Sequence, residues 1–112
     1  MSRASAEVPL HVLRVHYTGT EADSAPYTAA HVDYLRRHHA DGTFLLSGQT
    51  VPSEDGGVIV ACGVDRDTAE AIAAQDPFVV AGVARYEITT VAAGRAHPGL
   101  ADILAARSTT RA

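Results

Sequence analysis

The chain has 112 residues, 46% of them hydrophobic and 20% charged, which fits one globular domain with a modest core and excludes a disordered chain. Net charge is −4 and the nine basic residues, all Arg, are scattered, so neither nucleic acid nor an anionic membrane is expected as a partner. The absence of Lys excludes Schiff-base chemistry, and the single Cys62 excludes an internal disulfide or a cysteine-based zinc site.

The lead Met1 to Glu7 lacks the apolar stretch of a signal peptide, and no segment is long enough to span a bilayer, so a cytoplasmic address is the default expectation. Val8 to Tyr17 reads as a strand, with Leu13, Val15 and Tyr17 on one side and Val12, Arg14 and His16 on the other. A polar loop follows. Ser24 is the expected N-cap of a first helix, with Pro26 in its first turn, running to Ala40 and stopping at Asp41-Gly42. Thr43 to Gln49 is a second strand, Pro52 to Gly57 a turn, and Val58 to Val64 an apolar strand covered on both faces. Cys62 lies in that strand, where a buried inert thiol is the expected state.

A second helix, capped by Asp65 or Asp67, runs through Ala74 and breaks at Asp76-Pro77. Phe78 to Gly82 adds one helical turn, and Val83 to Val91 is the last strand. The order is β-α-β-β-α-β, an α+β ferredoxin-like fold with a four-stranded antiparallel sheet and both helices on one face. The domain is assigned to residues 1–92. Residues 93–112 form a C-terminal extension, mobile or partner-docking, with a short helix around Leu100 to Ala106. A second copy packed on the bare sheet face would cover the apolar third strand, so a homodimer is expected.

Tyr27, His31, Tyr34, Leu35 and His38 recur at three- and four-residue spacing, which turns His31 inward. Asp76 opens Asp76-Pro77-Phe78, 45 positions later. An interior imidazole with a carboxylate in reach is the least that proton transfer at neutral pH requires. Both residues also have plain structural readings, His31 as a satisfied core histidine and Asp76 as a helix cap. The two roles of Asp76 coexist if one oxygen caps while the other meets the ring. No metal site is expected: His31 and His38 stand two turns apart, about 10 Å along the axis, too far to share an ion. Gly56-Gly57 joins two strands and is not a phosphate cradle.

Three segments together resemble the YciI-like (YCII-related) family: His31-Val32-Asp33-Tyr34-Leu35, Asp41-Gly42-Thr43-Phe44-Leu45-Leu46-Ser47-Gly48, and Asp76-Pro77-Phe78-Val79-Val80-Ala81-Gly82-Val83. The resemblance spans roughly Leu10 to Val91 in matching order. It implies a dimeric α+β barrel and a His-Asp dyad, which falls on His31 and Asp76. It also implies proton-transfer chemistry such as elimination, including dehydrochlorination, on small cyclic substrates. Members often carry Arg-Pro shortly before the His, where this chain has Thr28-Ala29-Ala30. A substrate anion would therefore need another partner, and Arg14 or Arg85 are the candidates.

The reading that follows is a small acid-base enzyme needing no cofactor, a lyase or isomerase acting on a small oxygenated or cyclic metabolite. His31 and Asp76 are its catalytic residues, and Ser47, Tyr27, Tyr34, Arg14 and Phe78 its substrate-binding candidates. Two other readings share the fold: a cofactor-independent oxygenase or cyclase, and a non-catalytic ligand-binding or accessory protein.

Overall fold

The computed structural model describes residues 8–110; the lead Met1 to Glu7 and the last two residues of the tail lie outside the described residues. Four strands form one sheet: β1 (Val8–Tyr17), β2 (Phe44–Gln49), β3 (Gly57–Cys62) and β4 (Ala84–Ala93). Their order across the sheet is β2-β3-β1-β4, and each neighbouring pair is antiparallel. Four helices accompany them: α1 (Thr28–Ala40), α2 (Arg66–Ala74), the single turn α3 (Pro77–Val80) and α4 (Pro98–Thr110). The β-α-β-β-α-β order expected from the sequence is the order observed, and the fold is ferredoxin-like.

Period-two alternation decides what each strand buries. On β1, His11, Leu13 and Val15 are buried; Ile59 and Ala61 of β3 and Ala84 of β4 join them on the helix side. Tyr34 of α1, Phe44, Ala73 of α2 and Phe78 close this core from above. The opposite side carries Val12, Arg14, Val58 and Val60 half-buried, with Leu46 and Val91 exposed. This side of β3 is thus only partly covered within the chain.

Three local features depart from the sequence reading. A 3-10 segment, Glu21–Tyr27, precedes α1, because Asp23 folds back to accept the Thr20 N–H at 3.0 Å and starts the turn early. Ser24 lies inside that segment and donates its hydroxyl to the Glu21 carbonyl, so it does not cap α1, which begins at Thr28. On β2 the register shifts between Phe44 and Leu46: Phe44 pairs with Ala61, yet Ser47 pairs with Ile59. That extra residue puts both Phe44 and Ser47 on the helix side, which strict alternation forbids. Finally, the tail helix is almost twice the expected length and is packed. Leu104 is buried, α4 contacts β1, and Arg107 lies beside Gly42 and Gly63. None of the helices among the described residues is long and apolar enough to cross a membrane.

Candidate active site

Pro77 excludes Asp76 from the helical region, and Asp76 adopts φ −59°, ψ 126° at the N-terminus of α3. Its carboxylate folds back over that turn, where Oδ1 accepts the Phe78 N–H at 2.9 Å. The same oxygen lies 2.8 Å from Nδ1 of His31, delivered by the inward stripe of α1. Oδ2 accepts the Tyr86 hydroxyl of β4 at 2.6 Å. Asp76 is wholly buried, and a carboxylate out of water is costly unless donors fill its lone pairs. Three donors do so. The expected split, one oxygen for the cap and the other for the ring, is therefore corrected: Oδ1 does both, because Oδ2 belongs to Tyr86.

The Phe78 ring stacks on the His31 imidazole with centroids 3.9 Å apart and planes 5° from parallel. Stacking holds the plane of the ring and the Asp76 bond holds its rotation. With Nδ1–H donated to the carboxylate, Nε2 carries a free lone pair. It has no protein partner among the described residues, and the His31 side chain keeps 16% of its surface exposed. That exposed edge opens on a cavity of about 450 Å³ between α1, the 3-10 segment and the sheet.

Val15, Val32, Leu35, Ile59 and Phe78 supply the apolar wall of the cavity. Tyr17, Glu21, Ser24, Thr28, Ser47 and Gln49 supply its polar groups beside His31. The turn Gly56-Gly57 forms another part of the wall. Gly56 has φ +111°, and a Cβ there would stand 1.9 Å from the Val15 carbonyl oxygen, so only glycine fits.

The structure brings some of the sequence-derived candidates together and leaves others apart. His31, Phe78 and Ser47 share the cavity, and Asp76 lies directly behind the imidazole. The Ser47 hydroxyl is 2.8 Å from Nε2 of His39. Tyr34 does not line the cavity. It is buried in the core and donates its hydroxyl to the Ile72 carbonyl at 3.0 Å. Tyr27 is 38% exposed at the start of α1 and does not line the cavity either.

Arg14 points to the other side of the sheet, as its alternation with Leu13 and Val15 requires. There its Nη1 donates to the carbonyls of Val15, Asp55 and Gly57. Arg85 is exposed and alternates with the buried Ala84. Neither arginine reaches the cavity.

Sequence reasoning missed Tyr86 and Glu21. Tyr86 belongs to the inward set Ala84, Tyr86, Ile88 of β4, so its side was legible while its partner was not. Burial raises the Tyr86 hydroxyl well above the ordinary phenol value, and the nearby Tyr34 and Asp76 add to the effect. Burial likewise raises the Tyr34 hydroxyl, with Asp76 adding a smaller push. The Cys62 thiol is also pushed up by burial, partly offset by Arg107, which suits an unreactive thiol. Another buried imidazole, His11, is satisfied at both nitrogens: Nε2–H donates to the Val64 carbonyl and Nδ1 accepts from the Thr90 hydroxyl. Among the described residues no three His, Cys, Asp or Glu side chains converge in a way that would hold a metal ion.

Residues 10–92 match the family model of the YCII-related domain. Among solved structures, the fold is similar to 5-chloro-2-hydroxyhydroquinone dehydrochlorinase (TftG) from Burkholderia phenoliruptrix AC1100, determined in complex with 2,5-dihydroxybenzoquinone. The TM-score is 0.59 at 19% identity, covering 72% of this chain and 90% of that one. None of the curated proteins matches the sequence.

Proposed function

The chain belongs to the YCII-related domain family, and on that footing we propose that it is a small acid-base enzyme, a lyase or isomerase that works on a small oxygenated or cyclic molecule without a cofactor. One observation carries this reading. A wholly buried Asp76 holds Nδ1 of His31 at 2.8 Å and leaves Nε2 facing a cavity large enough for a single ring. The dehydrochlorinase of similar fold offers one instance of such chemistry, the loss of a proton and a chloride.

In the proposed cycle Nε2 takes a proton from a C–H or O–H of the substrate. The electron pair left behind forms a new π bond as a leaving group departs, or the proton returns to another carbon of the same molecule. The Asp76 carboxylate stabilises the imidazolium formed in between and keeps the reactive tautomer. A positioned base of this kind contributes about 10²–10⁴-fold in rate, enough for a C–H made acidic by a neighbouring carbonyl. Ser47 is the hydroxyl in the cavity best suited to a developing oxyanion.

The test combines turnover with spectroscopy. Chlorinated hydroquinones and small cyclic hydroxyketones are screened for chloride release and for solvent-deuterium incorporation. The wild type is expected to turn over members of this panel, with the rate falling about 10²–10⁴-fold in His31→Ala. In Asp76→Asn the ring-nitrogen shifts of His31 are expected to lose the pure Nδ1–H form, because an amide offers a donor as well as an acceptor. Full turnover in both variants would sink the dyad, and a wild type that binds members of the panel without turning them over would favour the ligand-binding reading.

We propose further that the working form is a homodimer joined through the side of the sheet that carries Val12, Val58, Val60 and the 54%-exposed Leu46.

A further inference from the structure

Seven polar or titratable side chains line the cavity around the apolar wall, and among them Glu21 alone is a carboxylate while none is Arg. Glu21 is half-buried. Its Oε1 accepts the Ser53 hydroxyl at 3.0 Å, whereas Oε2 has no donor among the described residues. The Ser53 bond tethers the side chain to the middle of the β2–β3 connection, so the charge is held in place. Neither candidate arginine answers it: Arg14 is occupied by three carbonyls on the other side of the sheet and Arg85 is exposed.

A ligand carboxylate entering this space would meet fixed negative charge with partial exclusion of water, where like charges repel more than in bulk solvent. A ligand hydroxyl would instead find an acceptor whose second oxygen is waiting for a donor. We propose that Glu21 makes this cavity selective for an uncharged, hydroxyl-bearing ring and turns away the same ring when it carries a carboxylate. The proposal rests on the reading of this cavity as the place where His31 meets its substrate. Glu21 here is a specificity-determining residue that binds a ring hydroxyl, while the proton transfer belongs to His31.

The experiment compares two redox-stable probes, resorcinol and α-resorcylate, the latter being the same ring with a carboxylate added. Binding is followed by the His31 ring resonances at a pH above the ordinary imidazole range, so that imidazolium does not mask the effect. The wild type is expected to bind resorcinol about tenfold more tightly, a gap that narrows as salt is added. Glu21→Gln keeps an acceptor for Ser53 but removes the charge, and the two probes should then bind about equally. Ser53→Ala removes the tether while keeping the charge, and most of the gap should remain.

Equal or tighter binding of α-resorcylate to the wild type would overturn the proposal, and this measurement needs no variant to fold. An unchanged gap in Glu21→Gln, or no saturable shift with resorcinol, would overturn it as well. The readout involves no turnover. A failed His31 base would therefore show in the kinetics of His31→Ala, and a failed Glu21 filter would show only in this ratio.

Discussion

The Tyr86 hydroxyl lies 2.6 Å from Oδ2 of Asp76, so a residue of the last strand completes the carboxylate that holds the imidazole of the first helix. The dyad is thus built as a chain of three side chains from three separate elements. Tyr86 does not line the cavity and has no hydrogen bond to His31, so in the proposed enzyme its part would be to position Asp76.

Tyr86→Phe removes one donor and leaves a buried carboxylate oxygen unpaired. The expected cost in stability is about 1–3 kcal/mol, read by urea denaturation. In the enzyme reading, kcat falls about tenfold, or roughly 1.4 kcal/mol of transition-state stabilisation, while the affinity for resorcinol stays close to wild type. A merely structural tyrosine would lower stability without disturbing the ring-nitrogen shifts of His31. Unchanged shifts and unchanged kcat in Tyr86→Phe would remove it from the site.

Tyr34 and Tyr86 also set an alkaline limit. Burial, the leading cause in both, raises their hydroxyls above the ordinary phenol value of about 10 that the unfolded chain would show. Above about pH 10 the unfolded chain loses these protons first, so it binds fewer protons than the native state and stability falls as pH rises. Below that value both states are protonated and the contribution is fully present. Each tyrosine adds a slope of about 1.4 kcal/mol per pH unit. Urea midpoints from about pH 8 to about pH 11 are expected to decline, with a shallower decline in Tyr34→Phe and in Tyr86→Phe. A flat profile in the wild type would contradict the raised values.

Leu46 tests the proposed dimer. It is 54% exposed on the side of β2 that faces away from the helices, so a charge there should leave the fold intact. Sedimentation of the wild type is expected to give twice the chain mass, and Leu46→Glu to shift the mass toward one chain with unchanged circular dichroism. A wild type that sediments as a single chain at concentrations of about 100 µM, far above ordinary dimer dissociation constants, would refute the homodimer.

Much of the candidate site is legible in the sequence because its two central residues carry local signals. His31 sits in a helical repeat with Tyr34 and Leu35, and Asp76 precedes a proline that must end a helix. Arg14 and Arg85 could also have been removed as cavity residues from alternation alone, since each adjoins an inward-facing position. Ser47 illustrates the opposite case. Counting by twos from Phe44 sends it to the wrong side, and only the extra residue in β2 returns it to the cavity.

Residue order along the chain by itself determined the succession of strands and helices, the inward stripe that carries His31 and the break that presents Asp76. These rest on periodicity and on the geometry of proline, both of which act within a few residues. Tertiary structure alone decided that Oδ1 of Asp76 serves both cap and imidazole, that Tyr86 claims the other oxygen, and that Glu21 lines the cavity beside His31 with no arginine among the lining residues. The pairings of Asp76 with His31 and with Tyr86 join residues 45 and 10 positions apart on different elements. They follow from how a twisted sheet and two helices close on one another, and no local pattern encodes that closure.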